Sequence, residues 1–237
     1  MKIVILTGAG ISAESGISTF RDSNGLWEKH PIEDVATPEA FVRNPALVHR
    51  FYNLRRLALK DVEPNPAHFA LARLQQALHA SGGSLTLVTQ NVDNLHTRGG
   101  SASPIHMHGE LTSIRCTHCN AREYFEDETS VDTRCQNCGE RAMRPNIVWF
   151  GEMPFAMQSI ETAIAACDLF VSIGTSGAVY PAAGFVHMAS SLGKDTLEIN
   201  LEPSEGSAAF NESRLGKAGE LVPLWVDEII KGLKRPL

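Results

Sequence analysis

No stretch of this 237-residue chain is apolar for long enough to span a bilayer. The longest runs, such as Ile3 to Leu6 and Leu169 to Ile173, fall far short of the roughly 18 residues that a span requires. A basic excess is missing too. Asp and Glu number 27 against 21 Lys and Arg, so the formal charge is −6. A chain this acidic has no bulk electrostatic reason to bind nucleic acid or an anionic membrane. Internal repeats and low-complexity linkers are also absent. With 43% hydrophobic, 20% charged and 7% aromatic residues, the composition excludes disordered and fibrous classes. The N-terminus runs from Lys2 through four apolar residues into Thr7-Gly8-Ala9-Gly10, without the apolar core and cleavage site of a signal peptide. A cytoplasmic location is the expectation. At about 150 residues per domain, the length predicts one large domain or a domain carrying insertions.

Cysteine is scarce but placed with purpose. Four of the five, Cys116, Cys119, Cys135 and Cys138, fall in the pattern C-x2-C-x15-C-x2-C, the spacing of two zinc knuckles. Two disulfides are the alternative, and they fit poorly with a chain that shows no export signal. Four thiolates fill a tetrahedral shell and leave no open position, so one Zn2+ held here is structural, not catalytic. His118 lies inside the first knuckle as a surplus, solvated side chain. Cys167, in the run Ala165 to Phe170, reads as a buried inert thiol.

Short apolar runs alternate with helical periodicity. Lys2 to Leu6, Leu85 to Thr89, Leu169 to Ile173 and Thr196 to Asn200 read as buried strands. Helical stretches fall near 66–80, 156–166 and 180–192, and Leu224 to Leu233 reads as a closing helix after a short strand at Leu221-Val222. This alternation predicts an α/β fold, a doubly wound, Rossmann-like parallel sheet covered on both faces. Two segments interrupt it. Residues 25–65 hold a helical pattern, Pro45 to Asp61, with no accompanying strand, and residues 110–147 hold the cysteines. Both read as insertions into a domain made of residues 1–24, 66–109 and 148–237.

The first strand ends in Gly8-Ala9-Gly10-Ile11-Ser12-Ala13, a G-x-G-x-x-A turn able to cradle a pyrophosphate. Alone it is also consistent with a glycine turn that binds nothing, since no acidic ribose ligand is convincingly placed about 20 residues on. Its continuation is more specific: Glu14-Ser15-Gly16-Ile17-Ser18-Thr19-Phe20-Arg21, then Gly25-Leu26-Trp27. Further blocks follow in order: Thr89 to His96, His106-Met107-His108-Gly109-Glu110-Leu111, Val148 to Glu152, Gly174-Thr175-Ser176 and Asn200-Leu201-Glu202. Together these resemble the signature blocks of the sirtuins, the NAD-dependent protein deacylases, across essentially the whole chain. Ser18 is a departure, standing where the family usually has Pro.

The resemblance implies that NAD is a consumed co-substrate, split at the nicotinamide–ribose bond, and that the products are nicotinamide and O-acyl-ADP-ribose. It implies that His108 is the general base that deprotonates a ribose hydroxyl, a task suited to a neutral imidazole. His106 and His96 are weaker candidates, and a bare histidine is more often structural. By resemblance Asn91, a catalytic candidate as well, and Asp93 hold the nicotinamide end, with Gln90 on a ribose hydroxyl and Val92 beside them. An Asn/Asp-rich turn after a strand is the bland alternative. The same resemblance gives NAD contacts to Gly8, Ala9, Gly10, Ser12, Ala13, Glu14, Thr19, Phe20, Arg21 and Trp27. Gly174, Thr175, Ser176, Asn200, Leu201, Glu202 and Ala218 serve the adenosine half.

The resemblance implies that the partners are acylated lysine side chains of proteins, bound as extended peptides. The backbone of Val148, Phe150, Gly151 and Glu152 is expected to pair with such a peptide as an added strand. Tyr52 and Arg55 stand at i and i+3 on one helix face, where a guanidinium can fork onto a carboxylate with a phenol beside it. This Y-x-x-R resembles the pair that marks sirtuins removing succinyl and malonyl groups, and Ala36 falls where that class keeps a small side chain. A solvated Arg beside a half-buried Tyr is the ordinary alternative. ADP-ribosyl transfer to protein shares the first bond cleavage and stays open. A non-enzymatic zinc ribbon is disfavoured: from Glu110 to Ile147 five basic residues face seven acidic ones, which is no nucleic-acid footprint. Nothing sets an oligomeric state, and a monomer is the expectation.

Overall fold

Both faces of the first strand, β1 (Lys2–Thr7), are apolar, and the fold covers both. The structure is a computed structural model that describes residues 1–17 and 30–233, with only the backbone of Leu26–Trp27 between them. The later strands are β2 (Leu26–Trp27), β3 (His30–Pro31), β4 (Ser84–Thr89), β5 (Ile105–His106) and β6 (Gly109–Cys116). They continue as β7 (Arg122–Tyr124), β8 (Met143–Ile147), β9 (Leu169–Ile173), β10 (Asp195–Asn200) and β11 (Glu212–Leu215). The helices are α1 (Gly10–Ala13), α2 (Ile32–Val35), α3 (Pro38–Arg43), α4 (Pro45–Ala58) and α5 (Pro66–Ala80). After them come α6 (Leu95–Arg98), α7 (Met157–Ala166), α8 (Phe185–Ser191) and α9 (Ala218–Leu233).

Six strands form one parallel sheet in the order β11-β10-β9-β1-β4-β5. The chain winds outward from β1 to one edge, returns, and winds from β9 to the other. This is the doubly wound arrangement, with its switch point between β1 and β9. Alternate strand residues serve opposite layers. Ile3 and Ile5 pack with α5 and α9 through Leu71, Leu74, Val222 and Trp225. Val4 and Leu6 pack with α7 and α8 through Ile160, Ile164, Phe185 and Val186. A separate antiparallel sheet, β7-β6-β8, surrounds the cysteines with a core of only a few large side chains, among them Ile114 and Met143. No helix among the described residues is long and apolar enough to cross a membrane.

Several expectations need correction. Leu221 and Val222 are not a strand: α9 starts at Ala218 and runs through them. Its apolar period, Val222, Trp225, Val226, Ile229 and Ile230, continues past Pro223 and packs as one face on the sheet, and that packing outweighs the proline. The strand at this end is β11, Glu-Ser-Arg-Leu, an exposed edge too polar for an apolar pattern to find. The helical stretch at 180–192 is a 3-10 turn, Ala182–Gly184, leading into α8. The segment 25–65 does contain strand, the short β2–β3 pairing.

Candidate active site

At the switch point the ends of β1 and β9 are locked together by glycine. Gly8 N donates to Ile173 O at 3.0 Å and Gly10 N to Gly174 O at 2.8 Å. A Cβ on Gly8 would lie 2.7 Å from Gly174 O, and one on Gly10 the same distance from Gly174 Cα, so neither position accepts a side chain. Above this junction opens a cavity of about 860 Å³. Open parallel sheets bind ligands at such a crevice, outside the carboxyl ends of the strands.

The cavity gathers residues that lie far apart in sequence. Gly8, Ala9, Gly10, Ala13 and Glu14 line it from the first loop; Gln90, Asn91, Val92 and Asp93 line it after β4. Gly174, Thr175 and Ser176 contribute after β9, Asn200, Leu201 and Glu202 after β10, and Ala218 from α9. The opposite wall holds Ala36, Tyr52, Arg55, His108 and Val148 to Glu152. Ser12 does not line the cavity but is buried beneath it. Thr19, Phe20 and Arg21, the family departure at Ser18, and the side chain of Trp27 lie outside the described residues.

Ser12 holds two of the polar groups. Its hydroxyl donates to Asp93 Oδ2 at 3.0 Å and accepts from Asn91 Nδ2 at 3.1 Å. Asp93 Oδ1 also accepts the Leu95 N–H, fixing the start of α6. Burial pushes the Asp93 carboxyl upward; these hydrogen bonds and the charges of His106 and Arg55 oppose the shift. Gln90 Nε2 donates to Thr175 Oγ1 at 2.9 Å and Asn200 Nδ2 to Thr175 O at 2.8 Å, which ties three strand ends together. Glu14 is occupied structurally as well: its Oε1 accepts Gly219 N at 2.8 Å, in the first turn of α9.

His108 is the one histidine among the described residues of the lining. Its Nδ1 lies 3.1 Å from Gln90 O, and because a carbonyl only accepts, Nδ1 carries the proton in that bond. The neutral ring therefore keeps its lone pair on Nε2. Burial lowers the His108 pKa below 6.5, and the Gln90 bond offsets part of the shift. The residue that follows, Gly109, has φ +85°, and a Cβ there would strike Asn146 O. His106 sits 3.3 Å from Glu110, and His96 pairs with Thr7 Oγ1 at 2.9 Å; neither lines the cavity.

On the opposite wall of the cavity, Tyr52 and Arg55 are buried, which sets aside the solvated-arginine alternative. Trp149 completes this wall; the sequence places it inside the Val148–Glu152 block without a role of its own. Its signal is an indole N–H that must find a partner once buried, and that partner is Tyr52 Oη. The segment after β8 is anchored by its own hydrogen bonds. Val148 N donates to His108 O, Phe150 N to Ala36 O, Glu152 N to Trp149 O, and Trp149 N to Glu152 Oε2. These bonds hold the N–H groups of Val148, Trp149, Phe150 and Glu152 in a turn beside the cavity. The carboxylate of Glu152 pairs with Arg144 and Arg115, which fixes this side of the wall.

The four cysteine sulfurs lie within 4.8 Å of one another, with Cys116–Cys138 at 3.7 Å and Cys119–Cys135 at 3.6 Å. A tetrahedron with Zn–S bonds of about 2.3 Å has edges of about 3.8 Å, whereas a disulfide would need about 2.05 Å. The donor set fits one zinc ion with no open position. Backbone N–H groups of His118 and Cys119 point at Cys116 Sγ, as expected around a thiolate. The His118 side chain is exposed, and Cys167 is buried with its thiol pushed up by burial.

Fold and cavity together define a dinucleotide-binding enzyme with a structural zinc module. Residues 8–181 match the Sir2 family. The NAD-dependent protein deacylase SIR2rp3 of Leishmania major is 58% identical over 97% of this chain and 96% of its own. An NAD-dependent protein deacylase of Caulobacter vibrioides is 53% identical over 98% of each. Among solved structures, a mutant Sir2 homologue in complex with ADP-ribose superposes with a TM-score of 0.89 at 37% identity, covering 100% of this chain and 94% of that one. A Sir2 bound to acetylated peptide gives 0.80 at 28% identity, covering 98% and 94%. The chain belongs to the Sir2 family.

Proposed function

We propose that this NAD-dependent protein deacylase removes succinyl and malonyl groups as well as acetyl groups from protein lysines, releasing nicotinamide and O-acyl-ADP-ribose. One observation carries the acyl range: Tyr52 and Arg55 are buried side by side in the wall of the cavity that also holds His108 and the switch-point loops. A guanidinium there meets a carboxylate-tipped acyl chain with two parallel hydrogen bonds, the Tyr52 phenol adds a contact, and Ala36 leaves room for the longer tail.

On this reading the backbone of Gly8 to Gly10 cradles the pyrophosphate. Asn91 and Asp93, held by Ser12, orient the nicotinamide end, and Gln90 meets a ribose hydroxyl. Thr175, Ser176, Asn200, Leu201, Glu202 and Ala218 hold the adenosine half. His108, with Nε2 unprotonated, accepts the proton of a ribose hydroxyl. Residues 1–24, 66–109 and 148–237 bind NAD; the insertion 25–65 supplies the acyl wall, and 110–147 the zinc ribbon. The acceptor is an acylated lysine in an extended peptide, in keeping with the acetylated peptide held by the Sir2 structure above.

The test is incubation with labelled NAD and a panel of acyl-lysine peptides, read by mass spectrometry. Loss of succinyl, malonyl and acetyl groups with matching O-acyl-ADP-ribose is expected. Acetyl loss alone would remove the acyl-range reading, and label on protein would favour ADP-ribosyl transfer.

A further inference from the structure

Helix α4 has two occupied faces. One brings Tyr52, Arg55 and Ala58 to the cavity wall. The other, turned about 130° around the axis, carries His49, Asn53 and Arg56 in the i, i+4, i+7 spacing of a single stripe. That second stripe meets strand β6 and the segment Asp127–Thr129, which lies between the two cysteine pairs.

The contact is made of directional bonds. Arg56, only 2% exposed, donates from Nε to Leu111 O at 2.7 Å. Its Nη1 donates to Asp127 O at 3.0 Å and to Asn53 Oδ1 at 2.9 Å. Asn53 Nδ2 donates to Thr129 O at 2.8 Å, and Thr129 N returns a bond to Asn53 Oδ1 at 2.9 Å. His49 Nδ1 meets Thr129 Oγ1 at 2.8 Å. A planar guanidinium that donates in several fixed directions resists rotation of the helix that carries it.

The linkage continues inward. Leu111 N donates to Val92 O at 2.8 Å, and Val92 stands between Asn91 and Asp93. One buried arginine thus connects the acyl wall to the loop that carries the amide and carboxylate of the nicotinamide end.

We propose that Arg56 is a positioning residue for acyl selection: it fixes the rotation of α4, and with it Arg55, against the Asn91–Asp93 loop. It does not touch the substrate. The proposal rests on the reading of Arg55 as the carboxylate partner. A forked pair needs defined angles, whereas an acetyl group asks nothing directional of α4. Slack in the helix therefore penalises succinyl-lysine more than acetyl-lysine.

Steady-state kinetics on succinyl- and acetyl-lysine peptides at saturating NAD test this in Arg56→Lys and Thr129→Val, alongside wild type and Arg55→Met. Lysine keeps the charge but cannot reproduce the fork. Thr129→Val loosens the same contact at a residue outside the cavity and serves if Arg56→Lys does not fold. The expected result is a rise of about tenfold in KM for succinyl-lysine with Arg56→Lys, kcat and the acetyl KM changing by less than about threefold. Thr129→Val should move the ratio the same way by less. Equal losses on both substrates, or an unchanged succinyl-to-acetyl ratio in the folded variants, would overturn the proposal. If Arg55→Met itself spared the succinyl preference, the carboxylate reading would fall and the role of Arg56 with it. A lost preference in Arg55→Met and an intact one in Arg56→Lys would remove the positioning role alone.

Discussion

Trp149 Nε1 donates to the phenol oxygen of Tyr52 at 2.9 Å, and both side chains are buried. The indole is itself held from behind, with Arg144 Cζ 3.3 Å from its ring centroid and Arg144 bound to both oxygens of Glu152. Trp149→Phe keeps an aromatic ring against Arg144 but removes the donor. The expected cost is about 0.5–1.5 kcal/mol, a drop of roughly 1–6 °C in Tm. KM for succinyl-lysine should rise with it. An unchanged Tm together with an unchanged succinyl KM would separate Tyr52 from its indole partner.

Arg55→Met should raise KM for succinyl-lysine roughly 10- to 100-fold, the loss of about 1.5–3 kcal/mol for hydrogen bonds to a charged group. Acetyl-lysine turnover should change little. Equal losses on the two peptides would leave a plain deacetylase.

His108→Ala should keep NAD binding, measured by calorimetry, while turnover falls about 10²- to 10⁴-fold. The pH profile gives a second check. A base works deprotonated, and burial lowers the His108 pKa, so the neutral form persists into more acidic solution than for a free imidazole. The acid limb of kcat/KM should therefore titrate below pH 6.5. A limb above 6.5 would point to another group.

Cys135→Ala opens the tetrahedral thiolate set. The small sheet around it holds few large apolar side chains, so folding there depends on the metal. Lower solubility and a lower melting temperature should accompany the loss of activity, and chelation of the wild type should lower Tm likewise. A variant that melted normally and only lost turnover would contradict a structural role.

The central sheet was legible because β1 and β9, covered on both faces, read as near-continuous apolar runs, and β4 and β10 carry buried Leu, Ile and Val between helical stretches. The edges were not: β11 and β5 carry no such run, since an edge position buries little. Pro223 looked like a boundary because local propensity argues so, and only packing against the sheet shows that α9 passes through it. Much of the cavity lining was legible from ordered motifs, with Tyr52 and Arg55 at i and i+3 on α4. Its supports were not. The pairing of Trp149 with Tyr52, of Arg56 with Leu111 O and of Glu14 with Gly219 N joins residues too far apart for any periodic pattern to couple.

Strand β1 sits inside the sheet and precedes both of its partners, β4 and β9, in the chain. One edge pairs with β4, the other with β9, where Lys2 N bonds Asp168 and Asp168 N bonds Lys2 O. On the ribosome the second edge waits for about 80 further residues after the first has its partner, some 4–16 s at about 5–20 residues per second. During that interval a strand apolar on both faces stands half-paired, with one edge open to chaperones and to self-association. The carboxylate of Glu14 meets its partner on α9 later still. The cavity lining runs from Gly8 to Ala218, so a nascent chain cannot draw stability from the dinucleotide until the start of α9 has emerged.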